Sequence, residues 1–333
     1  MNYEFYMNLA INKAWEYQGL TYPNPAVGSV VVNSNGKILS CEAHKASGYS
    51  HSELESIKVA YEQVTGVVLN DLTPTQLHNY LIDNHKDIFE GACIYVTLEP
   101  CNHFGKTPAC SNLIHQLKFA KVVIGSLDDN KIASGGKEYL ISKNVEVKTG
   151  ILKARTDELL YPFKKWQEDR FVFFKLAQNI NGNCTINKNI SSNESKLLVH
   201  KLRSKIDLLV IGGNTVRRDK PALDTRLLKN STHNPDVLIL SNEKKFDTTN
   251  IPLFSVPNRK VYIANNLKLL DNYNFIMIEG TKGMLKACKD IVDMNLTFLN
   301  TDYSSVGENI NIDLEQKLIY SYTNEDNIIT WSK

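Results

Sequence analysis

The sequence predicts two consecutive α/β domains, and three observations support this prediction. The chain has 333 residues, which is too long for a single ordinary hydrophobic core. In its first half, short apolar runs alternate with amphipathic helical segments, as in layered α/β domains. A second strand-rich pattern begins at Phe171. We therefore expect one domain at residues 1–150 and another at residues 151–333, joined by a linking helix at about 152–168.

The elements of the first domain follow from hydrophobic periodicity. Phe5, Leu9, Ala10 and Ala14 recur at helical spacing and predict an amphipathic opening helix. The polar stretch 65–90 is predicted to be an insertion on the surface, with no chemistry of its own. Strands are expected at residues 27–32, 38–43, 93–97, 121–125 and 145–148, with a hairpin turn at 33–36 and helices at about 52–63 and after Thr107.

The second domain shows short apolar runs, each bounded by turn residues. Strands are predicted at residues 171–176, 207–211, 237–240, 260–264 and 275–279. The stretch 295–333 is rich in Asn, Asp and Tyr, and its pattern predicts no definite element.

Composition narrows the class of protein. Hydrophobic residues make up 42% of the chain and charged residues 22%, which is typical of a soluble globular protein. The formal net charge of +2 gives no reason to expect a nucleic-acid or membrane partner. The N-terminus has no basic stretch followed by an apolar run, and no apolar run is long enough to span a bilayer. We therefore expect a cytoplasmic protein.

Six cysteines are scattered along the chain, which argues against a disulfide framework. Cys41 and Cys93 lie in apolar, strand-like stretches, where a thiol packs as a small hydrophobic side chain. Cys101 and Cys110 have polar surroundings punctuated by Gly and Pro. These two cysteines are therefore candidates for a functional site.

Cys101 and Cys110 gain a chemical meaning together with His51. One imidazole and two thiolates make a three-ligand zinc site and leave the fourth tetrahedral position for water, as in catalytic zinc centres. Bound zinc lowers the pKa of that water to roughly 7. Glu53, two residues after His51, suits the acid/base that moves protons in a zinc deaminase.

The position of the second cysteine is also predicted from local sequence. Thr107 is a good N-cap and Pro108 a favoured first helical residue, so Cys110 falls at the third helical position. There the positive end of the helix dipole favours a thiolate. Residues 102–106 must then loop around the site, and Gly105 permits the bend.

Other histidines offer alternative ligands. His103 lies two residues past Cys101 and more readily faces substrate or solvent, and His44 is interpreted as an ordinary loop histidine. A His-x-Glu pair or a Pro-Cys pair alone is common and carries little information. Both in this order within an α/β pattern favour the zinc site.

At these residues the sequence resembles the bifunctional riboflavin-biosynthesis deaminase/reductase family. Residues 23–28, Pro-Asn-Pro-Ala-Val-Gly, are similar to the family's P-N-P-x-V-G turn, and His51-Ser52-Glu53 to its H-A-E. The run from Thr97 to Cys110 is similar to its T-L-E-P-C-x-H-x-G-x-T-P-P-C. The long spacing between the cysteines separates this family from deaminases that carry P-C-x-x-C.

The resemblance implies a cytidine-deaminase-like three-layer α/β/α domain. It also implies that zinc hydroxide attacks the amino-bearing carbon of a diaminopyrimidinone ring that carries ribose phosphate. By the same match Asn24 holds the ring, although an Asn-Pro pair also serves as a plain turn former. Lys106 and Thr107 are candidates for binding the phosphate.

The second half resembles the family's dihydrofolate-reductase-like α/β domain, which uses NADPH to convert the ribosyl group to ribityl. Lys175-Leu176-Ala177 is similar to its entry strand, and residues 212–226 to its G-x-x-T-V-x-x-D-x-P-x-L-x-x-R. The match implies cofactor contacts from Thr215, Asp219 and Ser241. It also implies a substrate pocket lined by Arg203, Leu223, Arg226 and Glu279. The two arginines of this set can each donate a pair of hydrogen bonds to a phosphate group.

Departures from the family pattern concentrate in this second half. The family's S-L-D-G is replaced by residues 179–182, Asn-Ile-Asn-Gly, and its W-I-T by residues 189–191, Asn-Ile-Ser. A weakened or lost reductase activity is therefore one hypothesis. The family resemblance also implies a homodimer formed through the reductase domains.

Two rival functions remain from the residues alone. One is a nucleoside, nucleotide or tRNA deaminase, which the long cysteine spacing and the second domain disfavour. The other is a non-catalytic scaffold stabilised by zinc, which would have no use for Glu53.

Overall fold

The structure is a computed structural model that describes residues 2–103, 108–129, 134–184, 190–229, 231 and 233–333. The chain forms two compact units, Met1–Phe163 and Lys164–Lys333. The division falls inside the helix that the sequence predicted as a link, at Lys153–Glu168.

The first unit is built on one sheet with parallel and antiparallel parts. Its helices are α1 (Tyr3–Trp15), α2 (Ser52–Thr65), α3 (Pro74–Asn84), α4 (Cys110–Gln116), α5 (Gly136–Ser142) and the start of α6 (Lys153–Glu168). Its strands are β1 (Gly28–Val32), β2 (Ile38–Ala43), β3 (Cys93–Leu98), β4 (Lys121–Ser126) and β5 (Glu146–Lys148). The sheet order is β2-β1-β3-β4-β5. β1 runs antiparallel to both neighbours, whereas β3, β4 and β5 are parallel.

The opening helix is present, and its predicted apolar positions are partly buried: Ala10 and Ala14 are fully buried, but Phe5 is not. Phe5 is 49% exposed, whereas Met7 and Ile11 are fully buried. Gly28 explains the choice of face: a Cβ there would lie 2.0 Å from the Ala10 carbonyl oxygen, so α1 packs directly on the backbone of β1. The small residue at 28 sets the helix rotation, which periodicity alone did not reveal.

The sequence predicted that the stretch 65–90 is a surface insertion, and this prediction was wrong. The stretch completes the hydrophobic core of the first unit. Its helix α3 begins at a capping box in which Thr73 and Gln76 satisfy each other's backbone amides. Leu77, Leu81 and Phe89 are buried in the same hydrophobic cluster as α2 and β3. The polar composition hid these widely spaced apolar residues.

The second unit is built around a largely parallel sheet. Its strands are β6 (Phe171–Asn179), β7 (Leu208–Gly212), β8 (Asp236–Leu240), β9 (Val261–Ala264), β10 (Phe275–Glu279), β11 (Met294–Asn300), β12 (Leu318–Asn324) and β13 (Asn327–Ser332). Its helices are α7 (Asn193–Arg203), α8 (Gly213–Asp219) and α9 (Lys282–Cys288), with 3-10 turns at Pro252–Ser255 and Lys268–Asn272. The sheet order is β12-β13-β11-β6-β10-β7-β8-β9. Its β12-β13 and β13-β11 pairs are antiparallel.

The stretch 295–333, which the sequence left unassigned, extends this sheet. β13 alternates buried and half-buried residues, and its Trp331 packs on Phe173 with ring centroids 5.7 Å apart. Within the described residues, no helix is long and apolar enough to cross a membrane.

Candidate functional site

Three sequence-predicted ligands converge in the first unit. His51 is the N-cap of α2, Cys101 follows the end of β3, and Cys110 begins α4. The Nδ1 atom of His51 lies 3.6 Å from the Sγ atom of Cys101 and 3.6 Å from that of Cys110. The three donor atoms all lie within 4.8 Å of one another. Zn–N and Zn–S bonds of about 2.0 and 2.3 Å at tetrahedral angles separate such atoms by about 3.5 Å, so the group fits zinc.

The helix that carries Cys110 begins later than the sequence predicted. Ala109 is its N-cap, so Cys110 is the first helical residue and not the third. Contacts with Cys101 fix this start: its Sγ accepts the Cys110 N–H at 3.4 Å, and its carbonyl accepts the Ser111 N–H at 3.2 Å. The predicted N-cap Thr107 lies outside the described residues, as do Gly105 and Lys106.

The electrostatics of the three side chains are strongly coupled. The hydrogen bond from the Cys110 thiol holds the pKa of Cys101 down at about 4. The Cys101 sulfur in turn raises the pKa of His51 to about 9. Cys101 therefore favours the thiolate, the form in which cysteine binds a metal, whereas the Cys101 side chain raises the pKa of Cys110 well above its usual value.

Glu53 lies beside this group on the first turn of α2. It is 4% exposed, and its carboxylate accepts a hydrogen bond of 3.0 Å from the Ser52 hydroxyl. Burial raises its pKa, and the neighbouring His51 opposes this shift. A buried carboxyl with a raised pKa next to the donor atoms suits a group that takes up and releases a proton.

His44 has a role that the sequence missed. Its Nδ1 donates to the Ser50 carbonyl at 2.9 Å, so its Nε2 can accept from the Asn24 side chain at 3.1 Å. Burial lowers its pKa and keeps the ring neutral. His44 therefore orients Asn24, the predicted ring-binding residue. Among the described residues, the group of possible metal ligands includes neither His44 nor His103.

Glu99 holds the loop that contains residues 128, 135 and 137, next to the segment that carries Cys101. Its 7%-exposed carboxylate accepts the backbone N–H groups of Asp128, Gly135 and Lys137 at 2.9–3.1 Å. A Cβ at Gly136 would lie 1.9 Å from the Pro100 carbonyl oxygen, so the loop and the metal-binding segment are in direct backbone contact. The only sequence signal for this role was the family motif that contains Glu99.

In the second unit, two predicted substrate residues bind each other. Arg203, at the end of α7, donates from Nε and Nη2 to the Glu279 carboxylate at 2.9–3.1 Å, and both side chains are nearly buried. Lys175 lies opposite Glu279 in the parallel β6-β10 pair. Burial lowers the pKa of Lys175, although Glu279 opposes this shift. A lone Lys in the apolar strand β6 was the overlooked sequence signal.

The other predicted substrate residues lie on one loop. Leu223 is 4% exposed with a left-handed φ of 57°, and Arg226 is largely exposed and pairs with Asp224 at 2.7 Å. The half-buried side chain of Arg259 fixes this loop. It donates to the carbonyls of Leu223, Ala222 and Leu253 at 2.6–2.7 Å.

The predicted cofactor residues occupy both ends of α8. Ser241 follows β8 and packs against Gly213, where an added Cβ would lie 2.6 Å from the serine Oγ. Both residues follow neighbouring parallel strands, and ligands of such sheets bind at the carboxyl ends of the strands. Thr215 is half-buried on α8, whereas Asp219 ends that helix and pairs with Arg218.

The asparagines that replace the family's S-L-D-G have structural partners. Asn181 donates to the Ser304 carbonyl at 2.8 Å and accepts from the Ser304 N–H at 3.1 Å. Asn179 accepts the Asn183 N–H on its Oδ1 at 2.7 Å. Asn189 lies outside the described residues.

Comparisons with known proteins agree with this division of sites. Residues 1–126 match the family model "Cytidine and deoxycytidylate deaminase zinc-binding region", and residues 170–267 match "RibD C-terminal domain". The riboflavin biosynthesis protein RibD of Aquifex aeolicus is 30% identical over 306 residues, which are 87% of this chain and 78% of that protein. The Mycobacterium tuberculosis RibD is 31% identical over 68% of this chain and 61% of that protein.

Solved structures show the same fold. The diaminohydroxyphosphoribosylaminopyrimidine deaminase/5-amino-6-(5-phosphoribosylamino)uracil reductase of Thermotoga maritima has a TM-score of 0.65 and 24% identity. The match covers 99% of this chain and 98% of that chain. The Acinetobacter baumannii RibD has a TM-score of 0.63 and 22% identity over the same shares. These matches confirm the predicted fold class, a deaminase-like domain followed by a reductase-like domain. The chain belongs to the family of the riboflavin biosynthesis protein RibD.

Proposed function

We propose that this chain performs two consecutive steps of riboflavin biosynthesis. The first unit hydrolytically deaminates a diaminopyrimidinone that carries ribose phosphate, and the second reduces the ribosyl group to ribityl with NADPH. The family supplies the reaction class, and the residues of the two sites supply the assignment of roles.

One observation carries the deaminase assignment. The Nδ1 of His51 lies 3.6 Å from both cysteine sulfurs, and the buried Glu53 lies beside them without being a ligand. A structural zinc site would be closed by a fourth protein ligand, whereas a three-ligand site serves catalysis. A scaffold stabilised by zinc would gain nothing from burying a carboxyl at this place.

His51, Cys101 and Cys110 would hold the ion, which when bound lowers the pKa of water and makes a nucleophile available at neutral pH. Glu53 takes up the proton released when the C–O bond forms. It delivers this proton to the ring nitrogen, then takes the second water proton from the new hydroxyl group and delivers it to the amino group, which leaves as ammonia when the C–N bond breaks. Asn24, oriented by His44, holds the pyrimidinone ring. Lys106 and Thr107 stay predictions for the phosphate.

NADPH supplies the hydride for the second step, and the residues of the second unit bind and orient. Thr215 and Ser241 lie near the carboxyl ends of the parallel strands, where a dinucleotide phosphate binds, and Asp219 is a further cofactor prediction. Lys175, Arg203 and Glu279 form a nearly buried charged cluster, and His200 interacts electrostatically both with this cluster and with Arg226 of the proposed ribose-phosphate loop. Fixed charges of this kind orient a polar substrate without reorganising.

The test follows the two reactions separately in the purified full-length chain. We expect zinc at one ion per chain, ammonia release from the diaminopyrimidinone ribotide, and NADPH oxidation with the deaminated ribosyl product. Ammonia release from cytidine but not from the ribotide would instead assign another nucleotide deaminase. Zinc without ammonia release from either would favour the scaffold.

Three further predictions concern the whole protein. NADPH oxidation much slower than ammonia release would support the hypothesis of a weakened reductase, which rests on the departures at residues 179–182 and 189–191. A homodimer through the second domain is tested by light scattering. The cytoplasmic location is tested by fractionation of cells.

A further inference from the structure

Arg217, on the helix α8, has no part in either of the reactions described above. Its half-buried guanidinium lies over the ring of Phe246, with the Cζ atom 5.0 Å from the ring centroid. Phe246 belongs to the segment that follows β8, and its ring packs on Phe254 with centroids 6.3 Å apart. The attraction between a cation and an aromatic face restrains the guanidinium, so Arg217 is held in a defined position.

This position is the end of the sheet where the dinucleotide is expected. β7 and β8 are parallel, α8 follows the end of β7, and the segment with Ser241 and Phe246 follows the end of β8. A Cβ at Gly213 would lie 2.6 Å from the Ser241 Oγ and 3.3 Å from the Phe246 ring, so this segment packs directly on the start of α8. Ligands of parallel sheets bind at the carboxyl ends of the strands. Arg217 therefore lies in the same region as the predicted cofactor residue Ser241.

The hydrogen bonds of Arg217 leave most of its donors available. A guanidinium can donate from every one of its nitrogens. Within the described part of the chain, the hydrogen bond that Arg217 makes runs from its Nη2 to the Asn214 Oδ1, at 2.6 Å. Its Nη1 is buried and lies 3.2 Å from the Glu243 carboxylate, but this contact lacks the geometry of a hydrogen bond. A buried donor without an acceptor is unfavourable, and stacking on a ring leaves the donor edge of a guanidinium open to an anion.

The charges near Arg217 also favour an anion. Lys244 and Lys245 follow Glu243 in the same exposed segment, so Arg217 and this segment carry three cations and one carboxylate. The Glu243 side chain is 71% exposed, so it can move into solvent without leaving a buried position. The next acid, Asp247, is held by hydrogen bonds from the residues that follow it. A phosphate group, which accepts several charge-assisted hydrogen bonds, suits this combination better than an uncharged hydroxyl group.

We propose that Arg217 binds the phosphate on the adenosine ribose of NADPH, the group that distinguishes NADPH from NADH. Glu243 pairs with the guanidinium in the free protein and moves aside when the phosphate binds, while Lys244 and Lys245 add positive potential. The inference rests on the proposed cofactor site at Ser241, and it assigns the residue that makes this site prefer one dinucleotide to the other.

The test measures dissociation constants of NADPH and NADH with the purified full-length chain by isothermal titration calorimetry. We expect Arg217→Gln to weaken NADPH binding roughly 10- to 100-fold, the range for hydrogen bonds to a charged group, and to leave NADH binding unchanged. Arg217→Lys should recover part of the affinity, because it keeps the charge but not the planar set of donors. Glu243→Gln should tighten NADPH binding about two- to fivefold, because it removes the competing carboxylate. Lys286→Gln, which removes a charge from an exposed position of α9, is the control.

The Glu243 variant separates phosphate binding from a purely structural ion pair. If Arg217 and Glu243 only held the segment after β8 on α8, both variants would weaken NADPH and NADH binding alike, and this result would overturn the proposal. An unchanged dissociation constant for NADPH in Arg217→Gln would overturn it as well. A wild-type chain that binds NADPH and NADH equally would refute the phosphate site alone. A wild-type chain that binds neither would refute the cofactor site of the proposed function, and this inference with it.

Discussion

The two candidate sites differ in how their polar groups are satisfied. In the first unit, the donor atoms of His51, Cys101 and Cys110 lie within 4.8 Å of one another and could hold a metal ion. In the second unit, the guanidinium of Arg203 is already matched by the Glu279 carboxylate. A candidate metal site of this kind is therefore recognisable from the distances between its donor atoms alone. A candidate site whose charged side chains already neutralise each other is recognised mainly by comparison with related proteins.

The sites also differ in how they are held. The metal-binding residues are positioned by short-range contacts at the ends of elements, such as the Cys110 N–H on the Cys101 sulfur. In the second unit, the half-buried Arg259 holds the Leu223 turn, from which it is 36 residues away in sequence. The predictions below test whether these sites behave independently, as this contrast implies.

The largest effect is expected at Glu53. Glu53→Gln removes the proton carrier but keeps the side-chain volume, so kcat for ammonia release should fall by roughly a factor of 1,000. Zinc content and NADPH oxidation should stay unchanged because the ligands and the second unit are untouched. Glu55→Gln on the same helix is the matched control. Ammonia release close to the wild-type rate in Glu53→Gln would contradict the acid/base role.

Removal of zinc should separate the two activities. Chelation should abolish ammonia release and lower the melting temperature of the first unit, because a ligand bound only to the folded state stabilises it. NADPH oxidation with the deaminated substrate should continue, and added zinc should restore ammonia release. Equal loss of both activities would show that the sites are not independent.

Replacement of Arg259 should affect substrate binding in the second unit. Arg259→Met leaves the carbonyls of Ala222, Leu223 and Leu253 without their donor, and we expect KM for the ribosyl substrate to rise about tenfold. Arg259→Lys should restore only part of the loss, because an ammonium cannot reproduce the guanidinium fork. The exposed neighbour change Lys260→Met is the control. An unchanged KM with an unaltered melting temperature would argue against this role.

The smallest effect concerns acid stability and Glu279. Burial raises the pKa of Glu279, but the charges of Arg203 and Lys175 lower it by a larger amount. The pKa of Glu279 therefore lies below its usual value of 4.5. A depressed carboxyl pKa stabilises the fold above about pH 4.5, and this stabilisation is lost as the pH falls through the folded-state value. Glu279→Gln should therefore be less stable than the wild type near neutral pH, and the difference should narrow below pH 4.5. Urea unfolding at several pH values measures the difference in free energy of unfolding between the variant and the wild type. A difference that does not change with pH would show that the pKa of Glu279 is the same in the folded and unfolded states.

Most strands were predictable, but several details of the site were not. The strands at 38–43 and 275–279 match their predicted bounds, because short apolar runs between turns carry a local signal. The start of α4 was misplaced by two residues, because contacts with Cys101 override the local capping preference of Thr107 and Pro108. The core role of Leu77 and Phe89 was missed, because a few apolar residues in a polar stretch give a weak pattern.

The sequence by itself predicted most of the strands, the candidate zinc ligands and the candidate proton carrier, since residue type and spacing encode these properties directly. The tertiary structure decided which groups share an environment: His44 with Asn24, Lys175 with Glu279, and Arg259 with the Leu223 loop. These pairs are far apart along the chain, and their meeting depends on how helices and strands pack. Local patterns record backbone preference and burial, but they do not record which distant side chains face each other.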